Sequence, residues 1–331
     1  MPQAERQLIA RIQRLVRGRA GRAVVRGIGD DCAVLKVAPG HQLLVTTDLC
    51  IEDFHFRRTW HPPASVGHRC LVRGLSDIAA MGGEPLACFL SLGLPSRLSQ
   101  KWVDGFLRGF ELLARRFAVP LAGGDVSAAP AITADIVVAG QIPSGEAVLR
   151  SGARPGDRIY VTGELGGSAA VLQRLYAGKR VTPSRSDCHF YPLPRLEAGR
   201  WLRRRGLATA MIDVSDGLSV DLAHICQESR VGASINAQDI PVAKRANLEL
   251  ALHGGDDYEL LFTAPAKAKL PATAGGVKLT AIGTIVDHAR YAGQVGHVGQ
   301  KDYLSAIRIL GQNGQERILA PRGWQHFTKK R

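Results

Sequence analysis

The stretch around Asp213 constrains this chain most. An apolar run, Leu207 to Ile212, ends in Asp213-Val214-Ser215-Asp216-Gly217, and an amphipathic run, Leu218 to Cys226, follows. That order reads as strand, tight turn, helix. It sets two carboxylates, a hydroxyl and a glycine where a strand hands over to a helix. Similar acidic turns recur at Gly29-Asp30-Asp31, Thr46-Thr47-Asp48, Ser76-Asp77, Gly123-Gly124-Asp125 and Gly254-Gly255-Asp256-Asp257. One such turn alone is ordinarily an Asx-turn or a helix N-cap. Their repetition asks for a common reason. Carboxylates beside hydroxyls and carbonyls are hard oxygen ligands suited to Mg²⁺.

The chain has 331 residues, which favours two domains, and its 45% hydrophobic content supports a buried core. Turn residues concentrate from Pro143 to Gly156, so domains are expected over 1–148 and 149–331. The pattern predicts helices over 4–17, 64–81, 102–117 and 195–205. It predicts strands over 86–94, 119–122, 132–142, 158–162, 231–235, 258–263 and 277–286. The runs 33–37 and 42–46, split by Pro39-Gly40, read as a hairpin whose second strand delivers Thr46, Thr47 and Asp48. Asp77 falls in the last turns of its helix, off the apolar stripe. Strands and helices mix without a strict βαβ rhythm, so each half is expected to be α+β-like.

The formal net charge of +14 suits nucleic acid, anionic lipid or phosphorylated small molecules. The basic residues are scattered, not interleaved with aromatics as in a single-strand groove, so nucleic acid is not the expected partner. The cysteines form no C-x-x-C pair. That leaves zinc and a redox dithiol unsupported and fits reduced, mostly buried thiols in a cytosolic protein. The N-terminal apolar residues alternate with Arg at helical spacing, unlike a signal peptide, and no run is long enough to span a bilayer. A cytoplasmic location is expected.

The sequence lacks a P-loop, a G-x-G-x-x-G fingerprint, an H-E-x-x-H pair and a G-x-S-x-G elbow. What remains is aspartate on glycine-rich turns. Mg²⁺ takes one or two carboxylates and fills its shell with phosphate oxygens, and exposed backbone N–H groups also bind phosphate. Phosphoryl transfer needs positioning and charge neutralisation more than covalent help. The residues therefore point to a Mg²⁺-dependent, ATP-using phosphoryl-transfer enzyme.

The motifs also form an ordered set. It comprises Gly-Ile-Gly-Asp-Asp-Cys-Ala-Val at 27–34, Thr-Thr-Asp at 46–48 followed by Glu52 and His55-Phe56, and Leu-Ser-Asp-Ile-Ala-Ala-Met-Gly at 75–82. It continues with Gly-Gly-Asp at 123–125, Arg-Ser-Gly-Ala-Arg-Pro-Gly-Asp at 150–157, Ile-Asp-Val-Ser-Asp-Gly-Leu at 212–218 and Gly-Gly-Asp-Asp-Tyr-Glu-Leu at 254–260. Together these resemble the thiamine-monophosphate kinase family, in the superfamily of aminoimidazole-ribotide synthetase and selenophosphate synthetase. The resemblance implies an α/β, two-domain PurM-like fold: an N-terminal sheet domain that dimerises into a barrel-like core and binds ATP and Mg²⁺, and a C-terminal α+β domain that completes the active site. It implies ATP-dependent, in-line conversion of thiamine phosphate to thiamine diphosphate.

Carried over by motif, Asp30, Asp31, Thr46, Thr47, Asp48, Asp77, Asp125, Asp213 and Asp216 would bind Mg²⁺, with Asp48 and Asp213 central to catalysis. Gly124, Asp125, Arg150 and Ser215 would contact ATP. His55, Asp256 and Trp324 would hold thiamine phosphate. Plainer roles stand beside these. Asp213 and Asp216 can cap a helix and face its dipole. His55 can pack between Phe54 and Phe56, Arg150 can be a surface charge, and Trp324 can anchor a core. Glu52 and His189 are expected on the surface.

Three positions depart from the family pattern. Asp53 stands where Gly is usual, Gly74 where Asn is usual, and Asp256 where Glu is usual, one methylene shorter. The alternatives are another ATP-using member of the superfamily, such as an aminoimidazole-ribotide synthetase, or a basic nucleotide- or nucleic-acid-binding protein.

Overall fold

The computed structural model describes residues 5–16, 22–28, 31–184, 187–288, 307–311 and 314–323. The chain forms two compact units. The first comprises residues 1–78, 83–146 and 182–194; the second comprises 79–82, 147–181 and 195–331.

Elements of the first unit, in chain order, are α1 (Glu5–Val16), β1 (Val24–Arg26), β2 (Val34–Leu35), β3 (His41–Ile51), α2 (Pro63–Ala80), β4 (Glu84–Leu94), α3 (Gln100–Arg116), β5 (Leu121–Gly123), β6 (Val126–Ala128) and β7 (Thr133–Pro143). The main sheet runs β3-β7-β4-β5, with β6 beside β4. The expected hairpin over 33–37 and 42–46 does not form. β3 pairs antiparallel with β7 along its whole length, Thr46 opposite Val138 and Asp48 opposite Ile136. β2 turns back to β1 instead. The long register wins because it lets β7 bury Ile136, Val138 and Ile142, with α2 passing close to Val138 at Gly74. Two residues of β2 offer too little pairing to compete.

The second unit follows as β8 (Arg158–Thr162), α4 (Gly167–Tyr176), α5 (Leu196–Arg204), β9 (Ala210–Val214), α6 (Leu218–Ser229), β10 (Gly232–Asn236), α7 (Leu248–His253), β11 (Glu259–Ala264), β12 (Thr273–Ala274), β13 (Val277–Val286), β14 (Ile307–Leu310) and β15 (Glu316–Ile318). Its sheet runs β15-β14-β10-β13-β8-β11-β9. Helix α6 buries Leu218, Leu222, Ile225 and Cys226 on Ile159, Val161, Ile212 and Leu261. Fully burying one such aliphatic side chain contributes about 1.5–3 kcal/mol, so this cluster holds the unit together.

Two surface expectations fail. Glu52 is buried; it accepts the Ile132 amide at 3.3 Å and pairs with Arg58. His189 is 1% exposed and packs ring to ring with His61, Nε2 to Nε2 at 3.1 Å. The nearby charges of Arg and the aromatic neighbours disguise both as surface residues in the sequence. Cys50, Cys70, Cys88 and Cys226 are buried, while Cys32 and Cys188 are exposed. Among the described residues, no helix is long and apolar enough to cross a membrane.

Candidate active site

In the first unit, strand alternation puts Thr46 and Asp48 on one face of β3 and exposes Thr47 on the other. Helical spacing puts Arg73 and Asp77 on one face of α2. The two elements meet as two rungs. The Thr46 hydroxyl donates to Asp77, and Arg73 Nη1 donates to Asp48 Oδ1 at 3.0 Å. Gly74 lies between them. A Cβ there would stand 2.5 Å from Val138 Cγ2 and 3.6 Å from Thr46 Cγ2. The missing Asn therefore lets α2 sit close on β3 and β7.

Asp31 is exposed, and Asp30 lies outside the described residues. Asp125 is exposed after β5, and its carbonyl accepts the Leu92 amide at 2.8 Å. Gly124 has φ +147°, and a Cβ there would fall 1.9 Å from Leu90 O, so only glycine fits. His55 is half-buried, and its Nδ1 accepts the Ile51 amide at 3.0 Å, which puts the ring proton on Nε2. Asp53 explains its own departure. Its φ of +65° is the left-handed region that glycine favours and aspartate tolerates better than most residues.

In the second unit, β9 extends through Asp213, so this carboxylate stands on the strand's end and not in the turn. It is 4% exposed. The Asp213–Gly217 segment is joined to the Gly254–Asp257 turn. Asp256 N donates to Ser215 O at 2.8 Å and Tyr258 N to Val214 O at 2.9 Å, continuing the β9–β11 ladder. A Cβ at Gly255 would lie 2.4 Å from Ser215 O. Two motifs some forty residues apart thus form one structural unit.

Within the second turn the acidic residues divide their labour. Asp256 accepts the Tyr258 hydroxyl at 2.7 Å, and both residues have positive φ, +63° and +53°. Left-handed non-glycine residues cost about 1–3 kcal/mol each and cluster at functional sites. Asp257 instead caps α4, accepting Gly166 N at 2.7 Å and Ser168 N at 3.4 Å. Burial pushes its carboxyl up to about 7. Glu259 accepts Arg195 Nε at 2.7 Å and Thr162 Oγ1 at 2.5 Å.

Asp221 has a role that the motif did not reveal. It is 1% exposed and accepts Gly217 N at 3.0 Å and Asp216 N at 3.3 Å, holding the acidic segment from below. Burial, then the charges of Asp213 and Asp216, hold its carboxyl well above the ordinary range. Its place in the first turn after the motif was the available signal, as was the i,i+4 spacing of Arg73 and Asp77. Arg150 is exposed, and its carbonyl accepts from Ser229 Oγ at 3.0 Å; its charge and that of Asp216 act on His224 in opposite directions. Trp324 lies outside the described residues.

The AIR synthase related protein N-terminal domain model matches residues 29–142, and the C-terminal domain model matches residues 154–296. The thiamine-monophosphate kinase of Salmonella typhimurium is 38% identical over 278 residues, 78% of this chain and 84% of that protein. The chain belongs to the thiamine-monophosphate kinase family. The crystal structure of thiamine-monophosphate kinase from Stenotrophomonas maltophilia K279a superposes with a TM-score of 0.75 at 35% identity, covering 85% of this chain and 93% of that one. AaThiL complexed with AMPPCP and TMP matches with a TM-score of 0.74 at 29% identity, over 97% of this chain and 96% of that one. The expected mixed α/β, two-domain fold of the family is the fold observed. Within this family pattern, Gly74 and Asp53 are now departures with a local packing or backbone reason.

Proposed function

We propose that this protein transfers the γ-phosphoryl group of ATP to thiamine monophosphate by direct in-line displacement, releasing thiamine diphosphate and ADP. The observation that carries the reading is the joining of the Asp213–Gly217 and Gly254–Asp257 segments, which sets Asp213, Ser215, Asp216 and Asp256 on one scaffold. AaThiL, complexed with AMPPCP and TMP, supports the choice of ATP and thiamine monophosphate.

The donor set fits Mg²⁺, since every expected ligand offers oxygen. Among the described residues, no three His, Cys, Asp or Glu side chains gather as a metal cage. Mg²⁺ needs none, because it takes one or two carboxylates and completes its shell with phosphate and water. Asp30, Asp31, Thr46, Thr47, Asp48, Asp77, Asp125, Asp213 and Asp216 would hold several Mg²⁺ ions between them. Bound there, the ions would neutralise the triphosphate. Asp48 and Asp213 orient the reacting groups, Gly124, Asp125, Arg150 and Ser215 bind ATP, and His55, Asp256 and Trp324 bind the acceptor. In this reading residues 1–148 serve ATP, metal and dimerisation. Leu43, Val45 and Leu49 are about half exposed on one face of β3, an apolar strip that a second copy would cover. Function in the cytoplasm follows from the substrates.

The test is one incubation of purified protein with ATP, Mg²⁺ and thiamine monophosphate, with EDTA and unphosphorylated thiamine as controls. Stoichiometric thiamine diphosphate and ADP, lost with EDTA, is the expected result. ATP binding without thiamine diphosphate would overturn the acceptor.

A further inference from the structure

One helix holds two loops of the second unit. Helix α6 carries a polar side chain near each end, and both are spent on backbone groups. In its first turn, Asp221 accepts Gly217 N at 3.0 Å and Asp216 N at 3.3 Å. At its last residue, Ser229 Oγ accepts Gly152 N and Ala153 N, each at 3.1 Å, and donates to Arg150 O at 3.0 Å. A hydroxyl has one proton and two lone pairs, so this serine is wholly engaged by the loop that carries Arg150. Between the two ends, Leu222, Ile225 and Cys226 root the helix in the core.

The Arg150 loop has further fixed points. Leu149 O accepts Met211 N at 2.9 Å. Gly152 has φ +125°, and a Cβ there would fall 2.4 Å from Thr209 O, so the loop lies against the start of β9. Arg150 itself is exposed, so its guanidinium is placed by its backbone and not by burial. From Asp221 to Ser229 the helix spans about 12 Å at 1.5 Å per residue. The charges of Arg150 and Asp216 both reach His224, which lies on the helix between the two anchors.

We propose that Ser229 is a positioning residue for ATP: from the end of α6 it fixes the Arg150 loop at a set span from the Asp213–Gly217 segment, which Asp221 fixes from the start of the same helix. The inference rests on the reading that Arg150 contacts ATP and that Asp213 and Asp216 hold Mg²⁺. A cationic arm and metal ligands that serve one triphosphate must keep their spacing, and a shared, core-packed helix keeps it. Gly152 and Arg150 lie at the surface, so in Ser229→Ala water replaces the hydroxyl. The fold survives, and the loop loses its place.

The test uses the full chain and reads equilibrium binding of a non-hydrolysable ATP analogue with Mg²⁺, a measurement that needs no acceptor. Ser229→Ala should weaken binding about fivefold at saturating Mg²⁺, and Ser229→Thr, which keeps the hydroxyl, should restore most of it. Arg150→Ala should weaken binding about tenfold; adding Ser229→Ala to it should cost less than about twofold more, because the serine acts through the arginine. Asp221→Leu fills the buried volume without an acceptor, whereas Asp221→Asn keeps one. Only the leucine variant should raise half-saturating Mg²⁺, by about fivefold. Parental binding by Ser229→Ala would overturn the proposal, as would a loss just as large when Arg150 is already absent. Equal losses in Asp221→Leu and Asp221→Asn would show that charge matters there and not anchoring, and would overturn the shared role of α6. If the unmutated protein does not bind the analogue, the ATP reading and this inference fall together. If it binds the analogue but makes no thiamine diphosphate, only the acceptor reading has failed.

Discussion

The acidic residues on β3 and α2 and those of the Asp213–Gly217 segment are balanced in different ways. In the first unit, side chains answer them: Arg73 meets Asp48 at 3.0 Å, the Thr46 hydroxyl meets Asp77, and Arg58 meets Glu52. In the second, the Asp213–Gly217 segment crowds carboxylates on one another. Asp213 and Asp221 are both buried, and the charges of Asp213 and Asp216 help drive the Asp221 carboxyl upward. Backbone N–H groups of Asp216 and Gly217 soften this repulsion. A crowd of like charges is a demand for a cation, whereas an ion pair has met its own. On the proposed metal assignment, the second unit would gain more from a cation, and the first would have to give up a guanidinium to bind one.

The largest expected effects test that contrast directly. Asp213→Asn and Asp48→Asn should each lower kcat by about a hundredfold or more, because on the proposed assignment each removes charge stabilisation from the phosphoryl-transfer site. Their stabilities should part company. Asp213→Asn relieves repulsion and should raise the melting temperature; Asp48→Asn removes the charge that Arg73 Nη1 meets and should lower it. Thermal melts that move the same way for both would break the comparison. Arg73→Ala comes next. With a competitor for Asp48 gone, half-saturating Mg²⁺ in a titration should fall severalfold, at a stability cost of about 1 kcal/mol for a partly exposed pair. An unchanged Mg²⁺ requirement would show that Arg73 and metal do not contend for Asp48. Tyr258→Phe removes the hydroxyl that Asp256 accepts and, on the proposed acceptor role of Asp256, should raise the KM for thiamine monophosphate by about threefold, read from initial rates.

Much of this was readable before the structure, for definite reasons. Helices α2 and α3 and strands β4, β7, β8 and β13 carry long periodic patterns, which local sequence expresses well. β3 was recognised, but its partner was not, because Pro39-Gly40 signals a turn locally while β7 wins through burial far along the chain. Helix α7 escaped notice because six residues capped by Asn247 hold too little periodicity. At the site, the acidic motifs announced oxygen chemistry. They did not announce that Asp257 caps α4, that Glu259 serves Arg195, or that Asp221 supports the segment above it. One motif mixes chemistry with scaffolding, and only packing separates the two. Gly74 and Asp53 looked like losses, yet each suits the close contact or positive φ at its place.

Two buried groups, one in each unit, should also answer pH with opposite signs. In the first, burial lowers His68 to about 4 from 6.5, with its Nε2 2.7 Å from Pro192 O. The unfolded chain then binds the extra proton between those values, so stability rises as pH climbs from about 4 to 6.5. In the second, Asp257 is raised to about 7 from 3.8. Here the folded chain holds the extra proton, so stability falls as pH climbs from about 4 to 7. At roughly 1.4 kcal/mol per pH unit the two contributions are at most about 3 and 4 kcal/mol, and they largely cancel in the intact protein. Taken by themselves, these two groups leave urea unfolding only a shallow dependence from pH 4 to 8. Asp257→Asn keeps an acceptor for the α4 amides but cannot ionise, so it should expose the rising His68 limb. His68→Gln should expose the falling Asp257 limb. If both variants retain the parental pH profile, neither buried group carries the linkage, and the balance must lie with other titrating residues.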